Sequence, residues 1–260
     1  MDEVIRQGIL FAVSFFANLF ASVSGGGAGF VQFPLLILLG LPFATALGTH
    51  KVAVVFLGIG ALAKQRRSGG AFCFDRQVAL IMIFLGFPAV VLGSLIIIAI
   101  PAHVAEITLG CITVAAGVYS LVKKGFGGER LEHRSKARTF IGALLIIVIG
   151  LFSGSLSSGA GLFATLTLVG VFGLDLKSAI LHTMVFVATV WNAIGAVTVG
   201  MATSIHWQWI PTMIAATLAG SYLGTTLLIK LPVRAVRVIF SLVAVLSGLI
   251  LIYAAFAKRG

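Results

Sequence analysis

Charge is scarce in this chain of 260 residues: one residue in ten is Asp, Glu, Lys or Arg, while 60% are hydrophobic. A soluble domain of that length could not hide so much apolar surface, so lipid is the solvent for most of the chain. Acidic residues are scarcer still, seven against eighteen basic ones. No pair of them falls inside an apolar stretch, which argues against carboxylate coordination of a cation and against an aspartyl protease. The two cysteines, Cys73 in a basic loop and Cys111 in an apolar span, make neither a disulfide framework nor a metal site. The basic loops lack a GxxxxGK[ST] sequence, so ATP is not the expected energy source, and no cofactor is implied. The start, Met1-Asp2-Glu3-Val4-Ile5-Arg6, lacks a basic leader and a small-residue cleavage site, and is not expected to be a signal peptide.

What is present is a series of apolar segments. They run at 8–23, 28–41, 46–63, 78–100 and 103–122, then at 139–156, 159–174, 177–200, 208–230 and 233–257. The first two of each set are short for a crossing, which takes about 20 residues. They read as two short tilted helices or as a re-entrant hairpin. The net charge of +11 would suggest nucleic acid in a soluble protein, but here it marks cytoplasmic loops, and no nucleic acid is expected. Lys64, Arg66, Arg67 and Arg76 lie in one loop, and Lys123, Lys124, Arg130, Arg134, Lys136 and Arg138 in another. The second reads as a solvated connector, with contact to anionic lipid headgroups as the lesser reading. With both loops inside, the loop at 201–207 falls outside, where its lack of Lys and Arg fits. Asp2 and Glu3 also fall outside, and Lys230, Arg234 and Arg237 inside. The two halves then have opposite topology, with 1–122 and 139–260 as repeats joined by a basic linker at 123–138. The expected fold is an all-α polytopic membrane protein of two inverted-topology repeats. Each has a short broken or re-entrant helix pair and three full transmembrane helices.

Sequence repetition supports the division. Ser24-Gly25-Gly26-Gly27-Ala28-Gly29 interrupts apolar sequence in the first half, and Ser155-Leu156-Ser157-Ser158-Gly159-Ala160-Gly161 does so in the second. Twenty-three residues separate Gly27 from His50, and Gly159 from His182. Gly93, Pro101 and Gly117 recur as Gly224, Pro232 and Gly248 at an offset of 131. A helix that begins inside a membrane exposes its first N–H groups and the positive end of its dipole, which suits an anion. Glycine permits the turn and a close approach of solute to backbone, and serine adds donors. The candidate substrate-binding residues are therefore Ser24, Gly25, Gly26 and Gly27 in one break and Ser157, Ser158 and Gly159 in the other. His50, Lys51, His182 and Thr183 follow the breaks and bring charge or a proton. Gln32, Trp191 and Asn192 are polar or amphipathic residues within apolar segments, taken as pocket lining, as is Asn18. The Gly220–Gly224 pair, echoed by Ala89 and Gly93, brings helices together within one protomer or between two, so a homodimer is one expected state.

Three other classes compete with a carrier, one of them a non-transporting membrane scaffold, for which the repeated polar breaks have no evident use. A passive anion channel would use the same polar breaks. An intramembrane serine protease would need a Gly-x-Ser-Gly turn and a His; Leu151-Phe152-Ser153-Gly154 and Ser22-Val23-Ser24-Gly25 each lack the first glycine.

At these residues the chain resembles the sulfite exporter TauE/SafE family. The first half carries Ser24-Gly25-Gly26-Gly27-Ala28-Gly29-Phe30, then Pro34-Leu35, then Ala46-Leu47-Gly48-Thr49. The second carries Gly159-Ala160-Gly161-Leu162 and Lys177-Ser178-Ala179, with Ser157-Ser158 in place of two glycines and Leu166 where Pro34 would repeat. The resemblance implies a non-enzymatic transporter of sulfite, organosulfonates or related small anions, described as an exporter, spanning the inner (plasma) membrane many times. Its partners would be the anion and membrane lipid.

Overall fold

A computed structural model describes residues 2–70, 74–96, 102–123, 125–131, 133–156 and 159–257. Every regular element among them is helical, and one order of helix lengths runs twice. The first half comprises α1 (Glu3–Ser24), a short α2 (Ala28–Leu38), α3 (Phe43–Arg67), α4 (Arg76–Phe84) continued by α5 (Gly86–Ile96), and α6 (Ala102–Val122). The second comprises α7 (Lys136–Leu156), a short α8 (Ala160–Gly170), a third helix in three parts, α11 (Ile210–Lys230) and α12 (Val233–Ala257). The three parts are α9 (Leu176–His182), a π-helical stretch Thr183–Trp191, and α10 (Asn192–Ala202); a 3₁₀ turn, Trp207–Trp209, leads into α11. Seven helices among the described residues are long and apolar enough to cross a membrane. The protein is a multi-pass membrane protein.

The short pair at the head of each half is unequal. Its first arm is full length, 22 residues in α1 and 21 in α7, and its second arm has 11 in each half. Hydropathy marks only the apolar part of α1. Glu3 accepts from Arg6 and Gln7, each at 2.9 Å, and these local bonds carry the helix two turns beyond its apolar run. Between α4 and α5 the helix kinks at Leu85. Pro88 has no N–H to offer the Phe84 carbonyl one turn back. The Trp191 indole fills the kink: it lies where a side chain on Gly86 would be, and its Nε1 donates to Met82 O at 2.9 Å.

The halves interlock. The first helix of each packs along the fourth of the other, α1 on α11 and α7 on α5. Gly220 and Gly224 face the backbone of Phe15 and Leu19, while Gly93 and Gly154 bring α5 and α7 together. The repeated glycines thus join helices within one chain. The equivalent fifth helices run antiparallel: Gly110 meets Gly248 and Ile252, whereas Gly117 meets Ser241 and Val245. So do the equivalent third helices, where Gly58 faces Met184 and Val55 O accepts from Thr189 Oγ1 at 2.7 Å.

The connector between the halves is not free in solvent. Phe126 is buried, Gly127 O accepts from Leu176 N–H, and Leu131 N–H donates to Gly173 O. Arg134 donates to Phe172 O at 2.8 Å, and Arg138 to Val171 O and Gly170 O at 2.9 and 2.8 Å. These guanidinium groups occupy the C-terminal carbonyls of α8, where the helix dipole favours a cation. Charge pattern alone cannot distinguish such docking from solvation, because the arginines bond to main-chain oxygens that carry no sequence signature.

Candidate functional site

The two breaks meet. α1 ends on Gly25 in the left-handed region, φ 75°, and α2 starts from Gly27 at φ 104°. α8 starts in the same way from Gly159, φ 85°. Only glycine takes these angles without strain. Neither α2 nor α8 has a side-chain cap at its start, so the first-turn N–H groups of both helices point at whatever lies between them. The backbones touch at Gly26 and Gly161. A Cβ on Gly26 would stand 2.7 Å from Leu162 N, and one on Gly161 2.9 Å from Gly26 Cα.

A cavity of ≈ 40 Å³ opens at this junction. That is room for roughly three waters. Gly25, Gly26, Gly27, Gly159, His50, Thr183 and Asn192 line it, and of the expected residues these are the ones brought together. Sequence reasoning missed Ser153 as a lining residue and the π-helical wall of Met184, Val187 and Ala188, whereas Gly161, which also lines the cavity, belongs to the second break already singled out. A π turn at a lining helix is a frequent mark of a functional site. Nothing in Thr183–Trp191 announces it, since no glycine or proline interrupts the run.

The other expected residues lie around the cavity or away from it. Gln32 stands one bond behind: its Oε1 is 3.1 Å from His50 Nδ1, and its Nε2 donates to Ser14 Oγ at 2.9 Å. An amide oxygen accepts, so Nδ1 carries the hydrogen, and Nε2 is the nitrogen with which His50 can meet a solute. Ser24 Oγ bonds to Phe20 O and Gly26 O and braces the turn. Lys51 is fully buried and donates to Ser153 O at 2.7 Å. Asn18 joins α1 to Thr217 of α11. Trp191 belongs to the kink of α4 and α5. Ser157 and Ser158 lie outside the described residues.

His182 is the instructive displacement. Its Nδ1 donates to Ser178 O at 2.7 Å, and its Nε2 accepts from Asp75 N–H at 2.9 Å. Phe74 and Phe186 flank the ring. Both nitrogens are therefore committed away from the cavity. The cause is one inserted residue. The short helices match at an offset of 132, Gly27 with Gly159, but the turns after them, Gly40 and Gly173, and the next helix starts, Phe43 and Leu176, match at 133. Phe172 is the extra residue, buried beneath Arg134. In structural register His50 therefore corresponds to Thr183, and Thr49 to His182. The contacts obey this register. Thr49 Oγ1 accepts from His206 N–H at 3.0 Å, as His182 accepts from Asp75 N–H, and each bond pins the loop that enters a fourth helix. Thr183 Oγ1 turns to Thr165 of α8 at 3.0 Å, one residue on from the match of Gln32, while His50 turns to Gln32 of α2.

Asp75 anchors the end of the molecule where the connector docks. Its carboxylate caps α4 through Val78 N–H at 3.0 Å and pairs with Arg130 and Arg134 at 2.7 and 3.1 Å. Partial burial would raise its pKa, but the Val78 N–H and the two guanidinium groups outweigh burial and hold it below the usual carboxylate range. A carboxylate depressed in this way stabilises the fold above its unfolded pKa of about 3.9 and loses that contribution as pH falls through the folded value. The contact should therefore be constant from pH 5 to 8. Asp75→Ala is expected to cost about 1–2 kcal/mol in thermal or denaturant unfolding, and the difference from wild type should shrink below about pH 4.

Residues 10–251 match the sulfite exporter TauE/SafE family. A probable membrane transporter protein of Haemophilus influenzae is 30% identical over 236 residues, 90% of either chain. The probable membrane transporter protein YfcA of Escherichia coli is 26% identical over 254 residues, 97% of this chain and 92% of that one. The Bacillus subtilis protein YdhB, also a probable membrane transporter, is 25% identical over 238 residues, 89% of this chain and 94% of that one. No solved structure matches. With its paired glycine breaks, its apolar helices and a family match over nearly its whole length, the chain is a membrane transporter and belongs to the sulfite exporter TauE/SafE family.

Proposed function

We propose that this transporter carries small anions, sulfite or organosulfonates, across the inner membrane by alternating access around the cavity between the breaks. The observation that carries the reading is the convergence of two uncapped helix starts, Gly27 and Gly159, on one cavity with no carboxylate among its lining residues. First-turn N–H groups of α2 and α8 supply donors from two directions, and the helix dipoles add positive potential at a site shielded from water. His50 Nε2, Thr183 and Asn192 complete a polar rim small enough for a compact solute. Residues 1–122 and 139–260 are the moving repeats, and 123–138 ties them together on the cytoplasmic side. The antiparallel run of α6 against α12, and of α3 against the π-helical stretch, supports an inverted relation between them. With ≈ 40 Å³ at the junction, the described conformation is near closure, and loading requires the repeats to rock apart.

The test is a thermal-shift screen of purified protein with sulfite, methanesulfonate, taurine and acetate, followed by flux into proteoliposomes. A ligand held at a hundred times its Kd stabilises by about 2.7 kcal/mol. Sulfite or a sulfonate should shift the melting curve and show saturable flux. The reading fails if sulfite, methanesulfonate and taurine, a zwitterion that carries a sulfonate, all leave the curve unchanged.

A further inference from the structure

Lys51 is the largest unexplained cost among the described residues. Its side chain is fully buried within the membrane-crossing helix α3. The stem lies on Gly195 of α10, where a Cβ would come within 3.1 Å of Cδ and 3.2 Å of Cε, so a glycine makes room for it. The amine reaches Ser153 O, near the end of α7. Ion pairs among the described residues join Arg6 to Glu3 and Arg130 and Arg134 to Asp75, and none involves Lys51. The helices around it bring little charge. α2, α5, α8, α10 and the π-helical stretch carry no ionisable residue. Those of α1 (Glu3, Arg6), α7 (Lys136, Arg138) and α11 (Tyr222, Lys230), and Lys64, Arg66 and Arg67 of α3, lie well away along their helices. His50 is the neighbour, and its Nδ1 is committed to Gln32.

An ammonium buried without a counter-anion costs several kcal/mol, and breaking a buried pair costs about 3–5 kcal/mol. Lys51 does not itself line the cavity, but its amine bonds the main-chain oxygen of Ser153, which does, so an anion in the cavity would stand one residue away as the missing partner. A neutral amine keeps its hydrogen bond to Ser153 O and carries no such penalty. His50 has less need to change state, since a neutral imidazole satisfies Gln32 and suffers no charge burial.

We propose that Lys51 couples transport to protons: the amine takes one proton as the anion enters and returns it as the anion leaves. Water on the loading side supplies the proton and water on the releasing side receives it, so a monoanion crosses with no net charge. The inference rests on the anion reading of the cavity and adds the coupling ion to it. Its natural variant is Lys51→Met, because Met184 stands at the same position of the second half, 133 residues on.

Methanesulfonate is the probe, since it does not itself take up protons near neutral pH. Wild-type protein in weakly buffered detergent, followed with a pH dye, should take up about one proton per bound methanesulfonate, and Lys51→Met none. In proteoliposomes, a gradient of one pH unit should concentrate labelled methanesulfonate about tenfold through wild type, the limit for one proton per anion. Lys51→Met, which removes the ammonium that balances the anion, should bind methanesulfonate more weakly, and the flux that remains should not respond to the pH gradient. Accumulation through the variant equal to wild type would overturn the inference. So would methanesulfonate binding to wild type without proton uptake, which would make Lys51 a fixed binding charge. Should the variant fail to assemble, proton uptake by wild type decides: uptake supports the inference and its absence overturns it. If methanesulfonate neither binds to nor exchanges through wild type, the coupling inference is overturned for this anion, whereas the anion reading fails only if sulfite and taurine are also without effect.

Discussion

Gly26→Ala is expected to reduce transport by about 5- to 150-fold, although it adds a single methyl group. The methyl would sit 2.7 Å from Leu162 N and 2.8 Å from Gly161 C, where ordinary contact needs about 3.4 Å or more. Neither neighbour can rotate away, because both are main chain. The breaks must separate by several tenths of an ångström, and the first-turn N–H groups of α2 and α8 then no longer converge. Overpacking of this kind costs about 1–3 kcal/mol, and its upper end is about 150-fold in affinity. Gly161→Ala attacks the same contact from the other half, with its Cβ 2.6 Å from Gly25 O, and should match Gly26→Ala in flux and in loss of ligand-induced thermal shift. Gly8→Ala and Gly170→Ala serve as controls, since nothing lies within 4 Å of either added carbon. Wild-type flux in Gly26→Ala and Gly161→Ala would show that the solute does not pass between the breaks.

This sensitivity was partly visible in the chain. Gly25-Gly26-Gly27 and Gly159 stand out because glycine is costly within apolar helical sequence and signals a backbone requirement. Their recurrence at one offset made the meeting of the breaks inferable. The side chains around them were less legible. The equal spacing of His50 and His182 is an accident of counting across a one-residue insertion, Phe172, whose role becomes plain only when Arg134 is seen above its ring. Trp191 looked amphipathic enough for a pocket, but its indole answers a kink set by Pro88 in a distant segment. Both placements have one origin. Sequence spacing reports local periodicity, whereas these side chains are placed by contacts between halves.

The shifted register makes the two histidines separable by experiment. His50→Ala should leave the fold close to intact while lowering affinity for the transported anion by about 10- to 150-fold, the value of a hydrogen bond to a charged group. Gln32 stays anchored through Nε2 to Ser14 and loses only the partner of its Oε1, a cost of about 1 kcal/mol, so the larger loss falls on the cavity face where Nε2 of His50 meets the solute. His182→Ala should behave in the opposite way. It leaves Asp75 N–H and Ser178 O without their partner and empties the space between Phe74 and Phe186. Loss of stability of about 1–3 kcal/mol is expected, with ligand affinity retained. The loop carrying Asp75 would loosen, and Arg130 and Arg134 with it, so proteolysis near residues 74–77 should accelerate. Thermal unfolding and ligand titration of both variants distinguish the schemes. Similar loss of affinity in both, without a difference in stability, would mean that the histidines act as an equivalent pair and that the one-residue shift has no bearing on function. Retained affinity in His50→Ala would remove the imidazole from the site and leave solute recognition to the main chain of Gly25–Gly27 and Gly159–Gly161.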